Sequence, residues 1–160
     1  MRIFFFLVML FFNVTASSQK KIADLFDKKK FACDTGFTQL ELNVCSGEKA
    51  EYADSLLNNL YKKIIRYLNK QIQLQDKALL NKNIDSSERK FTQRERDHYN
   101  FTKLALIRSQ QQWMNSRKAD CELEREGCKG GTACHYIVNS RFIKMTLDRI
   151  RTLEEFDLIF

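Results

Sequence analysis

The sequence predicts an all-α domain: an antiparallel helical bundle built on one long hairpin and stapled at one end by disulfides. Three observations carry that prediction. There is no proline and there are only five glycines, so little breaks a long helix and little supplies the turns of a β sandwich. Apolar residues recur at helical spacing along two very long stretches joined by a short polar one. Five cysteines, Cys33, Cys45, Cys121, Cys128 and Cys134, gather at the ends of those stretches away from the polar link.

The chain opens MRIFFFLVMLFFNVTA. One cation, Arg2, precedes an apolar run from Ile3 to Phe12, and a polar stretch ends in the small residue Ala16. This is the layout of a signal peptide over residues 1–16. As a helix the run would span about 15 Å against roughly 30 Å for a bilayer core, so no stable membrane insertion is expected after cleavage. Ser17 then begins the chain, where a lipoprotein would carry cysteine. The expected product is exported, periplasmic or secreted, and in that oxidising setting disulfides are the default. Five cysteines form at most two bridges, and spacing leaves the pairing open. The fifth thiol is expected to be buried, reactive or available for a dimer.

Each element follows in order. Residues 17–32 read as a short N-terminal helix or extension, with Ile22, Leu25 and Phe26 at helical spacing. The main domain is expected over residues 33–156, beginning with a turn at Cys33-Asp34-Thr35-Gly36. Thr38 with Glu41 fits a capping box, so a helix should begin there. Ser46-Gly47 is expected to interrupt it. From Glu48 to about Leu80 the residues Tyr52, Leu56, Leu57, Leu60, Tyr61, Ile64, Leu68 and Ile72 form one apolar stripe. NKNIDSS is turn-like, with Ser86 or Ser87 capping the next helix. That helix should run from Glu88 to Glu126, with Phe101, Leu104, Ala105 and Ile107 approaching Trp113, and should end at Gly127 and Gly130-Gly131. A last helix is expected from Ala133 to Phe156, with Ile137, Ile143, Leu147, Ile150 and Leu153 inside.

A hairpin folding near residue 83 brings Cys45 and Cys121 to one end, the pole where Cys33, Cys128 and Cys134 also lie. An axial slip of roughly 3–6 Å leaves their pairing undecided. The same register sets Asp54 opposite Gln112, one or two turns from Arg117. Asp54, Leu57, Asn58 and Tyr61 share one helix face, and Gln110, Trp113, Arg117 and Cys121 share the one opposite. An unpaired arginine in an apolar setting is costly, so Asp54 or Asn58 is its expected partner. These residues read as a structural seam of aromatic packing, an ion pair and a disulfide fixing one end.

The motifs Asp54-x-x-Leu57-Asn58-x-x-Tyr61, Gln110-x-x-Trp113-x-x-x-Arg117-x-x-x-Cys121, Gly130-Gly131-Thr132 and Met145-Thr146-x-x-Arg149-x-x-x-Leu153 resemble the LprI-type lysozyme inhibitor domain. Thr38-Gln39 and Cys45 match that family's opening segment, and the resemblance covers residues 33 to 153. It implies a small exported bacterial helical protein that inhibits a lysozyme-type hydrolase. Two departures stand out. Where the family usually has a cysteine about nine residues beyond Gly-Gly-Thr, this chain has Arg141, while Cys128 and Cys134 are additional, which implies a rewired disulfide pattern.

Catalytic readings find little footing. Cys134 and His135 are adjacent, and on a helix their side chains diverge, a poor nucleophile–base arrangement. Cys121, Cys128, Cys134 and His135 lack a C-x-x-C knuckle, so neither zinc nor another cofactor is expected. Glu122/Glu126 and Glu154/Glu155 sit among Arg and Lys and read as solvated pairs. The chain is therefore expected not to be an enzyme. Its formal net charge of +7, one less without Arg2, suits anionic envelope polymers, lipid head groups or acidic proteins rather than nucleic acid. The expected function is inhibition of a lysozyme, with a disulfide-braced contact loop from Gly127 to His135: Lys129, Gly130, Gly131, Thr132 and His135, flanked by Asp120 and Glu122. The alternative is an envelope interaction or immunity protein with a non-lysozyme partner.

Overall fold

A computed structural model describes residues 22–31 and 38–157. The expected leader over residues 1–16, the start at Ser17, Cys33 and the turn through Gly36 lie outside the described residues. Four helices and no strand occur among those described: α1 Ile22–Lys28, α2 Gln39–Leu79, α3 Ser86–Gly127 and α4 Cys134–Asp157. α2 and α3, of 41 and 42 residues, form the antiparallel hairpin, each roughly 60 Å long. α4 lies along the groove between them, and α1 packs on α2 and α4.

Local chemistry sets the helix ends. The Thr38 hydroxyl accepts from the Glu41 amide, and the Glu41 carboxylate accepts from the Thr38 amide, closing the capping box. α2 then runs straight through Ser46-Gly47, where an interruption was expected. Ser46 is buried, donates its Oγ to the Asn43 carbonyl and accepts from Asn139 Nδ2 of α4. The glycine loses about 1 kcal/mol of helix propensity, but its bare backbone lies beside Asn139, and the α4 contact holds the helix continuous. At the far end the cap of α3 is Asp85, not Ser86 or Ser87. Its Oδ1 accepts from the amides of Ser87 and Glu88, so both serines fall inside the first turn. Arg89 donates to the carbonyls of Leu79 and Asn81, satisfying acceptors that the end of α2 leaves open.

The core joins Leu56, Leu57, Leu60, Ile64 and Leu68 of α2 to Leu106 of α3, Ile150 and Leu153 of α4, and Ala23 of α1. Two expectations need correction here. Phe101, Leu104, Ala105 and Ile107 do not approach Trp113: all four are exposed, Phe101 by 69 %. α3 instead turns Thr92, Leu106, Gln110 and Cys121 inward, Phe101 and Leu104 fall on the opposite side of the helix, and Ala105 lines a cleft toward α4 beside Leu106. In α4 Ile137 is exposed and Val138 is buried in its place, with Thr146, Ile150 and Leu153 continuing that face.

Candidate functional site

The seam at the middle of the bundle is built from three helices. Arg117 Nη1 donates to Asp54 Oδ1 at 2.7 Å and to Thr146 Oγ1 at 2.9 Å. Its guanidinium lies 4.5 Å from the Trp113 ring centre and 4.0 Å from that of Phe142. Asp54 Oδ2 accepts from Asn58 Nδ2, so the carboxylate is held on both oxygens. The Thr146 hydroxyl in turn donates to the Phe142 carbonyl. One turn along, Arg149 donates to Gln110 Oε1 and to Ser109 Oγ, and burial pulls its guanidinium below its ordinary pKa. Tyr61 packs against the core.

Asp54 meets Arg117 directly rather than sitting opposite Gln112. The pairs Arg117–Asp54, Lys103–Asn69 and Arg96–Asp76 keep one register along the hairpin. Side chains lean toward the N-terminus of their own helix, so the long cations of α3 reach back toward the turn. Matching Cα levels alone misses that reach.

Cys121 belongs to no disulfide. Among the described residues it is the free thiol, buried at 8 % exposure, so the bridge expected at that end of the seam is absent there. Desolvation pushes this thiol above its ordinary pKa, partly opposed by the charges of Arg117 and Arg141. Arg141, which stands where the resemblance expects a cysteine, forms an ion pair with Asp120, the neighbour of Cys121. An ion pair therefore links α3 to α4 beside Cys121, at the position where the resemblance expects a cysteine. Cys45 is disulfide-bonded.

The loop between α3 and α4 is closed by the Cys128–Cys134 disulfide, Cα to Cα 5.1 Å. Gly131 N donates to the Cys128 carbonyl, and Cys134 N to that of Gly131. Gly130 takes φ +84°, a left-handed conformation that favours glycine. Asn43 of α2 braces the loop from outside, its Nδ2 donating to the Thr132 carbonyl and its Oδ1 accepting from Tyr136 N in the first turn of α4. Thr132 and His135 are exposed. Lys129 pairs with Glu126 and Glu122 approaches Lys118, whereas Asp120 is engaged by Arg141. With Cys128 and Cys134 bonded to each other, neither offers a thiolate for zinc.

Asn43, Thr146, Phe142 and Arg141 were not among the residues singled out for a role. Thr146 stood in a recognised motif and could have been found from it. Asn43 carries no signal in the sequence, because its partners lie across the bundle in the loop and in α4.

No curated protein and no solved structure matches the chain. The family model described as "Lysozyme inhibitor LprI" matches residues 32–153, a span holding the whole hairpin, the seam and the braced loop. By that match the chain belongs to the LprI lysozyme inhibitor family.

Proposed function

We propose that the protein is exported and inhibits a lysozyme-type peptidoglycan hydrolase by binding rather than by catalysis, using the loop from Gly127 to His135 as its contact surface. Family membership carries the inhibitory reading. The loop's brace supports its placement: a disulfide, two internal hydrogen bonds and Asn43 fix its shape before binding, which lowers the ordering cost of association.

Charge supports the same end of the molecule. Many lysozymes are basic, and a basic inhibitor meets repulsion unless its contact face is locally acidic. Four carboxylates, Glu41, Glu48, Glu51 and Asp54, oppose the single cation Lys49 between Thr38 and Asn58. Glu51 and Asp54 also line a groove of about 480 Å³ with Asn139 and Phe142 of α4. Between Arg117 and Lys129 four cations, Arg117, Lys118, Arg125 and Lys129, balance Asp120, Glu122, Glu124 and Glu126, so the acidic excess lies on α2. Within this reading Asp120 acts through Arg141, holding the α3–α4 crossing, and Glu122 is the better contact.

The test is a titration of oxidised protein against several lysozymes, scoring cell-wall hydrolysis. Stoichiometric inhibition of one, weakened on the order of tenfold by the combined replacements Lys129→Ala, Thr132→Ala and His135→Ala, is the expected result for a contact centre. Inhibition untouched by these replacements would move the contact surface elsewhere. A folded protein that inhibits no lysozyme would favour the alternative, an envelope or immunity partner of another kind.

A further inference from the structure

The positive charge is not spread evenly. Between Asn59 and Arg108, the half of the hairpin nearer the turn, twelve Lys and Arg stand against five Asp and Glu, which equals the excess of the entire chain. On the flank facing across the hairpin the cations have partners: Arg96 meets Asp76 and Asp97, and Lys103 donates to Asn69. A second set does not. Lys62, Arg66, Lys70 and Lys77 are all exposed on the outer face of α2, four, four and seven residues apart, with Asn59 and Gln73 completing the line. The row is about 22 Å long.

None of these four cations forms an ion pair with a described residue, and Arg66 turns its Nε back onto the Lys62 carbonyl. Elsewhere the helices set a cation three or four residues from an acid, as in Lys118–Glu122, Lys129–Glu126 and Arg151–Asp148. On this ridge cations stand four residues from cations, and such like-charge neighbours repel. An anionic ligand laid along the row would remove the repulsion.

We propose that this outer face of α2 binds a linear polyanion, a phosphate-bearing polymer running along the helix. The surface is one convex row of cations spaced by amide side chains, which suits a flexible chain of regularly spaced charges. A bilayer surface would call for apolar side chains among the cations. Here only the half-exposed Leu74 stands at the edge, while the exposed Phe91 and Phe101 belong to α3. The site is independent of the braced loop and of the inhibitory reading.

The probe is long-chain inorganic polyphosphate, titrated against the full-length chain at several salt concentrations. Wild-type protein should bind with an affinity that falls steeply with salt. The variant Lys62→Gln/Arg66→Gln/Lys70→Gln/Lys77→Gln should bind on the order of tenfold more weakly, with the salt slope shallower by about 3, as for four lost contacts to a single strand. A control that removes as many charges from α3, Lys90→Gln/Arg94→Gln/Arg108→Gln/Lys118→Gln, should keep most of the affinity. The single reversal Lys70→Glu should weaken binding severalfold, and helicity by circular dichroism should be unchanged in every variant. Equal losses in ridge and control variants would overturn the proposal, since binding would then follow net charge alone. So would binding to phosphatidylglycerol vesicles without binding to polyphosphate, which would identify a lipid surface. Lysozyme inhibition that survives in the ridge variant keeps the two sites separate.

Discussion

Arg117 shows how one side chain organises three helices. It is 13 % exposed and its partner Asp54 33 %, so the pair is mostly withdrawn from water, and removing one member strands the other. Asp54→Ala should lower unfolding stability by about 2–3 kcal/mol, toward the lower end for broken buried pairs because Asp54 keeps some solvent. Urea denaturation checks this, and a loss under about 0.5 kcal/mol would mean that the pair behaves like a surface one. Cys121 makes a second residue-scale prediction. Its burial should leave it almost unreactive to iodoacetamide in the folded protein and fast in urea. Its thiol pKa is raised above the ordinary 9.0, so ionisation is harder folded than unfolded. Its contribution is therefore complete below the unfolded thiol's pKa and declines as pH climbs from there through the folded value. Denaturation midpoints of wild type should fall more steeply above pH 9 than those of Cys121→Ser, a control that also removes the parallel effect of the burial-raised Tyr99. Parallel profiles would show that the thiol does not drive the change.

At the scale of elements, the Cys128–Cys134 disulfide joins α3 to α4 at the loop, and further along the two helices an ion pair takes over. Asp120–Arg141 sits beside a thiol with no partner, so Arg141→Cys should let Cys121 oxidise. The titratable thiol count under denaturing conditions should drop by one, and stability should rise by about 3 kcal/mol, less whatever the ion pair supplied. A thiol count that rises by one would show that the backbones stand too far apart for a bridge. Selective reduction of Cys128–Cys134, which closes a short loop, should cost about 2 kcal/mol, with little change in helicity because Asn43 still binds Thr132 and Tyr136. Local signals were legible in the sequence wherever donor and acceptor lie within one turn, as at Thr38 and Glu41. They failed where tertiary contacts decide. Ser46-Gly47 stays helical where Asn139 of α4 bonds to Ser46, and Phe101 looked internal only because α3 has few large apolar residues to mark its true inner face. The partners of Arg117 were legible as chemistry, but Thr146 and Phe142 come from a third helix whose rotation the sequence left open.

For the whole molecule, composition and periodicity made the hairpin legible, whereas net charge hid its own distribution. A single value of +7 suggested repulsion from a basic enzyme. The sequence instead sets an excess of carboxylates on the first half of α2 and of cations toward the turn, and the fold brings that half of α2 to the end that bears the braced loop. If the loop end carries the contact, added salt should weaken lysozyme inhibition, since attraction between the acidic first half of α2 and a basic enzyme is screened within about 8 Å at physiological ionic strength. Inhibition that strengthens with salt would mean that the basic half faces the enzyme.

The length of the hairpin has one more consequence. With the ridge toward one end and the braced loop at the other, tens of ångströms apart on a stiff support, occupancy of one does not obstruct the other. A copy resting on a stationary polymer would keep its loop facing outward at a set reach. The dose of inhibitor met by an arriving hydrolase would then follow the density of the polymer rather than the amount of protein released, as for any pair of linked binding sites.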